Sequence, residues 1–146
     1  MADQTRQSPT AGERIRLLLV DDEEGYLNVL SNRLGKRGMD VVRARSGAEA
    51  IQILRRQEFD VSVLDLRMED MDGIEVLRIF KKMAPTLMVI MLTGHGSEKA
   101  ARDGIALGAF GYLSKPCDIS ELVARIQEAC RSRKITGSPP AGTSGV

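Results

Sequence analysis

Leu17-Leu18-Leu19-Val20-Asp21-Asp22 joins four apolar residues to two carboxylates, and Val61-Ser62-Val63-Leu64-Asp65 has a similar form. Such short runs are typical of parallel strands that helices cover on both faces. Ligands bind at the C-terminal strand ends of open α/β sheets, so we expect Asp21, Asp22 and Asp65 to meet there. Clustered carboxylates repel one another, which predicts that a cation or a lysine offsets their charge. The pattern indicates a metal-assisted site with one carboxylate left to react.

The rest of the chain alternates between strand and helix patterns. Strands are predicted at residues 15–20, 39–44, 61–65, 87–92 and 111–113. Helices are predicted at 24–36, at 73–82 and at 118–133. Two more helices are placed by their caps. One begins after Ser46, which forms a capping box with Glu49, and the other runs from a cap at Ser97 to about Leu107.

Five βα units with right-handed crossovers carry helices on both faces of the sheet. The common strand order is 2-1-3-4-5, which predicts a doubly wound, flavodoxin-like α/β fold. The switch point between the first and third strands would hold the three aspartates, and the neighbouring strand ends would bring Thr93 and Lys115 to the same rim.

Composition favours one globular domain. The chain has 146 residues, 42% of them hydrophobic, and a formal net charge of +1. This charge gives no general attraction to nucleic acid or to a membrane surface, and no apolar stretch approaches the length of a membrane span. We therefore expect a cytoplasmic protein with no direct nucleic-acid or membrane partner, and with Cys117 and Cys130 as reduced thiols.

Both ends of the chain differ from its middle. Residues 1–13 are polar and without periodicity, and residues 135–146 are rich in glycine, serine and proline. Both are expected to be flexible tails, which leaves 14–134 as the folded domain. The basic residues near the end of the last helix are interpreted as solvated surface: Arg125, Arg131, Arg133 and Lys134.

Four segments, taken together and in this order, resemble the receiver domain of response regulators in two-component signalling. They are Leu19-Val20-Asp21-Asp22-Glu23, Asp65-Leu66-Arg67-Met68 with Met71-Asp72-Gly73, Leu92-Thr93-Gly94-His95-Gly96, and Gly108-Ala109-Phe110-Gly111-Tyr112-Leu113-Ser114-Lys115-Pro116. The resemblance covers about residues 14–131, and it suggests a stand-alone receiver.

The resemblance implies a role for each residue of the site. Asp65 would be the phosphoacceptor, and Mg²⁺ would be held by Asp22, Asp65 and the backbone carbonyl of Arg67, with Asp21 acting through a metal-bound water. Oxygen ligands of this kind suit Mg²⁺.

The strand ends that follow would bind the phosphoryl group. Thr93 and Lys115 would contact it, and Thr93 with Tyr112 would form the switch. The resemblance also implies a cis peptide bond between Lys115 and Pro116. A site of this kind catalyses its own phosphorylation and dephosphorylation and is not a metabolic enzyme.

The resemblance also implies partners. A sensor histidine kinase or a histidine phosphotransfer protein would supply the phosphoryl group. A downstream protein would bind the face formed by the fourth helix, fifth strand and fifth helix, and phosphorylation could produce a homodimer. The alternative is a receiver module of a larger regulator or a phosphorelay intermediate.

Rival classes of protein fit the residues poorly. A nucleotide-binding enzyme needs a glycine-rich loop after the first strand, where Asp22-Glu23-Glu24-Gly25 stands. A haloacid-dehalogenase phosphatase would carry its nucleophile in a D-x-D segment at that point. A degenerate receiver would lack a key residue, and none is missing.

One departure from the receiver pattern lies in the loop after Asp65. Many receivers have proline directly after the methionine, where this chain has Glu69 and then Asp70. The loop is therefore expected to be more acidic and less rigid. The Arg67 side chain could cover the pocket or fold onto Glu69 or Asp70, and His95 is expected at the rim of the site.

Overall fold

The computed structural model describes residues 14–136, and it has five strands and five helices in strict alternation. The strands are β1 (Ile15–Val20), β2 (Met39–Ala44), β3 (Val61–Asp65), β4 (Met88–Thr93) and β5 (Gly111–Ser114). The helices are α1 (Glu24–Gly35), α2 (Gly47–Arg56), α3 (Gly73–Met83), α4 (Glu98–Ala106) and α5 (Ile119–Thr136). The predicted tail at 1–13 lies outside the described residues, as do residues 137–146 of the tail predicted at 135–146. Residues 135 and 136 belong to α5, so the prediction that the tail begins at 135 is wrong.

All four strand pairings are parallel, and the order across the sheet is β2-β1-β3-β4-β5. The predicted doubly wound fold is therefore confirmed. β3 lies at the centre of the sheet, and each of its five residues is buried. This central position explains why its apolar run is almost unbroken.

Element boundaries differ slightly from those predicted. The Leu87 amide donates to the Ala84 carbonyl at 2.9 Å, which leaves Leu87 in a turn before β4. At the other end of β4, Thr93 pairs with Ser114 and so extends both strands by one residue. Helix α5 continues to Thr136, past its predicted end at 133.

Two predicted helix caps have different outcomes. Ser46 Oγ accepts the Glu49 amide at 3.0 Å, and the Glu49 carboxylate reaches back to the Arg45 amide at 2.8 Å, so α2 begins with a capping box shifted by one residue. Ser97 stands at the N-cap of α4 but makes no capping bond with its side chain. That cap prediction is wrong, because the Ser97 backbone is not in the extended conformation that aims an N-cap oxygen at the next turn.

Hydrophobic clusters cover both faces of the sheet. Helices α1 and α5 pack on one face, and α2, α3 and α4 pack on the other. Helix α4 contributes only two buried residues, Ala101 and Gly104. Gly104 brings α4 close to the sheet, since a Cβ there would lie 2.3 Å from Met91 Sδ. Helix α4 is therefore the helix with the least side-chain burial.

A buried ion-pair network lies at the edge of the sheet opposite the strand C-termini. Asp60 is fully buried, and its carboxylate accepts Arg133 Nη1 at 2.6 Å and Arg16 Nη2 at 2.8 Å. Arg133 Nε also donates to the Thr86 carbonyl at 3.1 Å. The prediction that Arg133 belongs to a solvated surface is wrong, because this network attaches the C-terminal part of α5 to the sheet.

No helix within residues 14–136 is long and apolar enough to cross a membrane.

Candidate functional site

Three carboxylates meet at the C-terminal edge of the sheet, as the strand pattern predicts. Asp21 and Asp22 follow β1, and Asp65 is the last residue of the neighbouring β3. One oxygen from each carboxylate lies within 4.8 Å of the other two. Asp21 and Asp65 are buried, and Asp22 is half-buried. The cluster is thus a crevice with two deep acidic groups and one near its mouth.

The backbone holds the two deep carboxylates. Asp21 Oδ1 accepts the Glu23 amide at 2.9 Å, and Asp65 Oδ1 accepts the Arg67 amide at 3.1 Å. Each aspartate therefore fixes the first turn of the loop after its own strand. The second oxygen of each remains for the crevice.

Lys115 supplies the positive charge that the acidic cluster requires. Its Nζ lies 2.9 Å from Asp21 Oδ2 and 3.2 Å from Asp65 Oδ2. The Lys115 amide donates to the Thr93 carbonyl at 2.7 Å, which ties the residue to the end of β4. The peptide bond between Lys115 and Pro116 is cis, as expected.

Burial and neighbouring charges shift the pKa values of both Asp65 and Lys115. Burial raises the pKa of Asp65, the Arg67 amide lowers it, and the charge of Asp21 raises it again, so the net shift is upward. For Lys115, burial lowers the pKa, but the hydrogen bond to Asp21 and the charge of Asp65 outweigh burial and raise it. The Lys115 ammonium therefore stays charged, while Asp65 takes up a proton more readily than an ordinary aspartate.

The loop from β3 to α3 is held by two carboxylates, one of which, that of Asp22, also belongs to the crevice. Asp22 Oδ2 accepts the Glu69 amide at 2.9 Å. Asp70 accepts the amides of Gly47 and Ala48, both at 3.0 Å, at the N-terminus of α2. Where many receivers carry a proline, this chain thus has hydrogen bonds that connect the loop to two other segments.

The Arg67 side chain is exposed. Among the ion pairs within residues 14–133, none joins it to Glu69 or Asp70. Farther along the loop, Gly73 is sterically required, because a Cβ there would lie 2.5 Å from Leu66 Cα. His95 is exposed in the loop after β4, consistent with a position at the rim.

Thr93 and Tyr112 lie on the neighbouring strands β4 and β5. Thr93 is fully buried, and its hydroxyl donates to the Leu113 carbonyl at 3.5 Å. Tyr112 is half-buried against the core and lines a groove of about 690 Å³. The groove runs between α4 and α5, with Ile105 on one side and Arg125 on the other. The structure thus places both residues beside the face predicted for output.

Sequence reasoning missed Tyr26 as a residue of the site. The Lys115 Nζ atom lies 4.6 Å from the centroid of its ring. Burial, together with the adjacent Cys117 thiol, raises the pKa of Tyr26 to about 12. A signal was available, because Tyr26 follows Asp22 by four residues and therefore lies in the first turn of the helix that begins at the site.

The protein-family model for the response regulator receiver domain matches residues 17–127. This chain belongs to that family. The receiver match includes the C-terminal ends of all five strands and the whole acidic crevice.

Curated relatives of this receiver are regulators of greater length. It is 42% identical over 113 residues to the transcriptional regulatory protein GlrR of Escherichia coli. This match covers 77% of this chain and 26% of GlrR. The receiver is 33% identical over 133 residues to the transcriptional regulatory protein ZraR of Klebsiella oxytoca, covering 91% of this chain and 30% of that one. The chain thus spans between a quarter and a third of these relatives.

Solved receiver domains match over nearly their full length. One from Clostridium thermocellum has a TM-score of 0.81 at 33% identity and covers 84% of this chain and 98% of its own. The receiver domain of the Francisella response regulator 1452 has a TM-score of 0.75 at 28% identity, covering 82% of this chain and 98% of its own. The fold is therefore that of a receiver domain.

Proposed function

We propose that this receiver takes a phosphoryl group from a phosphohistidine onto Asp65, with Mg²⁺, and signals through a change in its surface. The observation that carries the proposal is the position of Asp65 Oδ2. It lies 3.2 Å from Lys115 Nζ, within the same crevice as Asp21 and Asp22. We assign this function to the domain at 14–134.

The carboxylate of Asp65 acts as the nucleophile. Its oxygen forms a bond to phosphorus while the bond from phosphorus to the donor's imidazole nitrogen breaks, and the imidazole leaves with the electron pair. The product is an acyl phosphate, whose stored reactivity permits later hydrolysis. Aspartate is a weak nucleophile, so positioning and neutralisation of charge provide most of the catalysis.

The residues of the crevice fit a divalent cation. Three carboxylates face one ammonium, which leaves a net charge of −2 when all are ionised (−3 + 1). Asp22, Asp65 and the Arg67 carbonyl would hold Mg²⁺, with Asp21 nearby, and all of these are the oxygen donors that it prefers. When bound, the ion supplies neutralisation of the phosphoryl oxygens.

Lys115 and Thr93 bind the transferred group. The Lys115 ammonium acts as a point charge, and it moves from the Asp65 carboxylate oxygen to a phosphoryl oxygen once the Asp65 oxygen is bonded to phosphorus. The Thr93 hydroxyl leaves the Leu113 carbonyl, a long bond of 3.5 Å, and donates to the phosphoryl group. Tyr112 then turns into the space that this movement opens.

The exposed apolar residues support two protein partners. Val29 on α1 and Ile105 on α4 are the large hydrophobic residues that stand exposed within the described side chains. Val29 is on α1, which begins two residues after Asp22, and a histidine kinase or phosphotransfer protein would bind there. Ile105 lines the groove of the α4-β5-α5 face, where a downstream protein or a second copy would bind.

A second candidate is a receiver module of a larger regulator or a phosphorelay intermediate. It is supported by the matched relatives, of which this chain spans only 26% and 30%. In that case the output surface would bind a domain of the same polypeptide. A pull-down with and without beryllofluoride tests whether the output surface binds a separate protein. Capture of a partner that depends on beryllofluoride supports the stand-alone receiver, and its absence supports the second candidate.

The test of the proposed function is phosphorylation by a small donor. Incubation with acetyl phosphate and Mg²⁺ should add one phosphate to the intact mass. Asp65→Asn should remove the addition, whereas Asp40→Asn, at an exposed position of β2, should retain it. Labelling of Asp65→Asn equal to that of the wild type would disprove the assignment.

A further inference from the structure

Tyr26 contacts the Lys115-Pro116-Cys117 segment at two points. The Lys115 ammonium lies over its ring, 4.6 Å from the centroid, and its hydroxyl is adjacent to the Cys117 thiol. The two contacts come from residues on either side of Pro116. The side chain therefore braces the segment that carries the phosphoryl-binding lysine.

The Lys115 ammonium has three attachments. Two are the carboxylates of Asp21 and Asp65, at 2.9 and 3.2 Å, and the third is the Tyr26 ring. Lysine has a flexible four-carbon stem, so two anionic contacts alone leave its ammonium free to shift between them. A ring face attracts the cation without neutralising it. The ring therefore restricts the position of Nζ and leaves its charge available.

The contact between Lys115 and the Tyr26 ring involves no atom of Asp65, so a reaction at Asp65 does not itself remove it. The Asp65 oxygen that Lys115 contacts is then bonded to phosphorus, and the ammonium must move to a phosphoryl oxygen. The ring contact does not depend on that carboxylate. A phenol is neutral at physiological pH, and burial with the neighbouring thiol raises the pKa of Tyr26 further, to about 12. Burial likewise raises the pKa of the Cys117 thiol, so neither group competes for the ammonium as an anion.

We propose that Tyr26 is a positioning residue for phosphorylation, which holds the Lys115 ammonium over the crevice, and that Cys117 sets the orientation of the tyrosine ring. The inference rests on the proposed function of Asp65. It predicts an effect on the maximal rate of phosphorylation rather than on the binding of Mg²⁺, since Tyr26 offers no ligand to the cation.

The test compares variants that separate the ring from the hydroxyl. Tyr26→Leu removes both contacts, Tyr26→Phe keeps the ring face, and Cys117→Val removes the neighbour of the hydroxyl. Tyr26→Met is a second non-aromatic variant in case Leu does not fold. Asn32→Ala, on an exposed position of the same helix, is the control. Each is phosphorylated with acetyl phosphate over a range of concentrations, and maximal rate is separated from KM.

We expect Tyr26→Leu and Tyr26→Met to lower the maximal rate at least fivefold, with Mg²⁺ affinity within twofold of the wild type. Tyr26→Phe and Cys117→Val should lower it less than threefold, and Asn32→Ala should not change it. Non-aromatic variants that react as fast as the wild type would overturn the proposal.

A second readout requires no phosphorylation. Acylation of Lys115 by a limiting amine-directed reagent, measured by peptide mass spectrometry, should be faster in Tyr26→Leu than in Tyr26→Phe. Equal acylation in both variants would overturn the ring contact. A wild type that accepts no phosphate, together with this difference in acylation, would refute the proposed function and leave the positioning of Lys115 by Tyr26 intact.

Discussion

Asp70 and Gly47 stand 23 residues apart in the sequence, yet the Asp70 carboxylate accepts the Gly47 amide at 3.0 Å. The same carboxylate accepts the Ala48 amide, so it serves as a cap on α2 from outside that helix. The loop that carries Arg67 and Glu69 is thereby attached to a rigid element. A hydrogen-bonded cap at this position replaces the restriction that a proline gives to the loop in many receivers.

Asp70→Ala should lower the free energy of unfolding by about 1 kcal/mol, the usual cost of removing an N-terminal cap. It should also reduce the stabilisation by Mg²⁺, because the loop holding the Arg67 carbonyl is released. Urea unfolding with and without Mg²⁺ measures both. Glu69→Ala, which removes the neighbouring charge but keeps its amide, is the matched control. Equal effects of the two variants would contradict a role for the cap.

The contribution of Asp70 should depend on pH. Burial alone would raise its pKa, but the Gly47 and Ala48 amides outweigh burial and hold it below the ordinary value. Since the folded pKa is the lower one, the stabilisation is present above the unfolded value of about 3.9 and is lost as the pH falls through the folded pKa. The difference in unfolding free energy between wild type and Asp70→Ala should therefore shrink in acid. A difference that grows in acid would contradict this assignment.

Mg²⁺ should stabilise the fold, because it relieves repulsion among Asp21, Asp22 and Asp65. A ligand that binds only the folded state at tenfold excess over its Kd adds about 1.4 kcal/mol. Thermal melting in Mg²⁺ and in EDTA should differ for the wild type and coincide for Asp22→Ala. Glu24→Ala, an exposed acidic residue on α1, should keep the difference. Identical melting of the wild type in the two solutions would argue against a metal site.

Thr93 should couple phosphorylation to α4. Thr93→Ala removes the hydroxyl that now donates to the Leu113 carbonyl. The variant should still accept phosphate at Asp65, but the conformational response of α4 to phosphorylation should be weak. Titration with beryllofluoride, followed by NMR, should show the loss at Lys99, Arg102 and Asp103. Thr93→Ser, which keeps the hydroxyl, is the control. Undiminished shifts of these residues in Thr93→Ala would refute the mechanism.

Asp60→Ala should be the most destabilising of these changes, by about 3–5 kcal/mol, because it leaves two guanidinium groups without their buried counterion. Arg133→Met should cost less, since Arg16 still pairs with Asp60. Urea unfolding of both variants tests the order. An Asp60→Ala variant as stable as the wild type would show that the network contributes little.

The strand-end residues could be predicted from sequence because topology alone gathers them. Once the apolar runs of β1 and β3 are assigned to one parallel sheet, Asp21 and Asp65 must lie at the same edge. The Asp70 cap could not be predicted, because it joins a loop to the N-terminus of α2, and the distance between them depends on how α2 and α3 pack. Arg133 continues the buried stripe of Leu122, Ile126 and Ala129. Its charge alone predicts an exposed position, and its burial depends on the buried partner Asp60, which is distant in sequence.

Because α4 and α5 are attached unequally, the groove between them has one fixed wall, α5, and one wall that can move, α4. Arg133 and a row of buried side chains fasten α5, whereas α4 rests on Ala101 and Gly104. A change in the width of the groove must therefore come almost entirely from α4. A bound segment would find Glu121 and Arg125 in the same place in every state, and would detect the state of the domain through Ile105 and Tyr112.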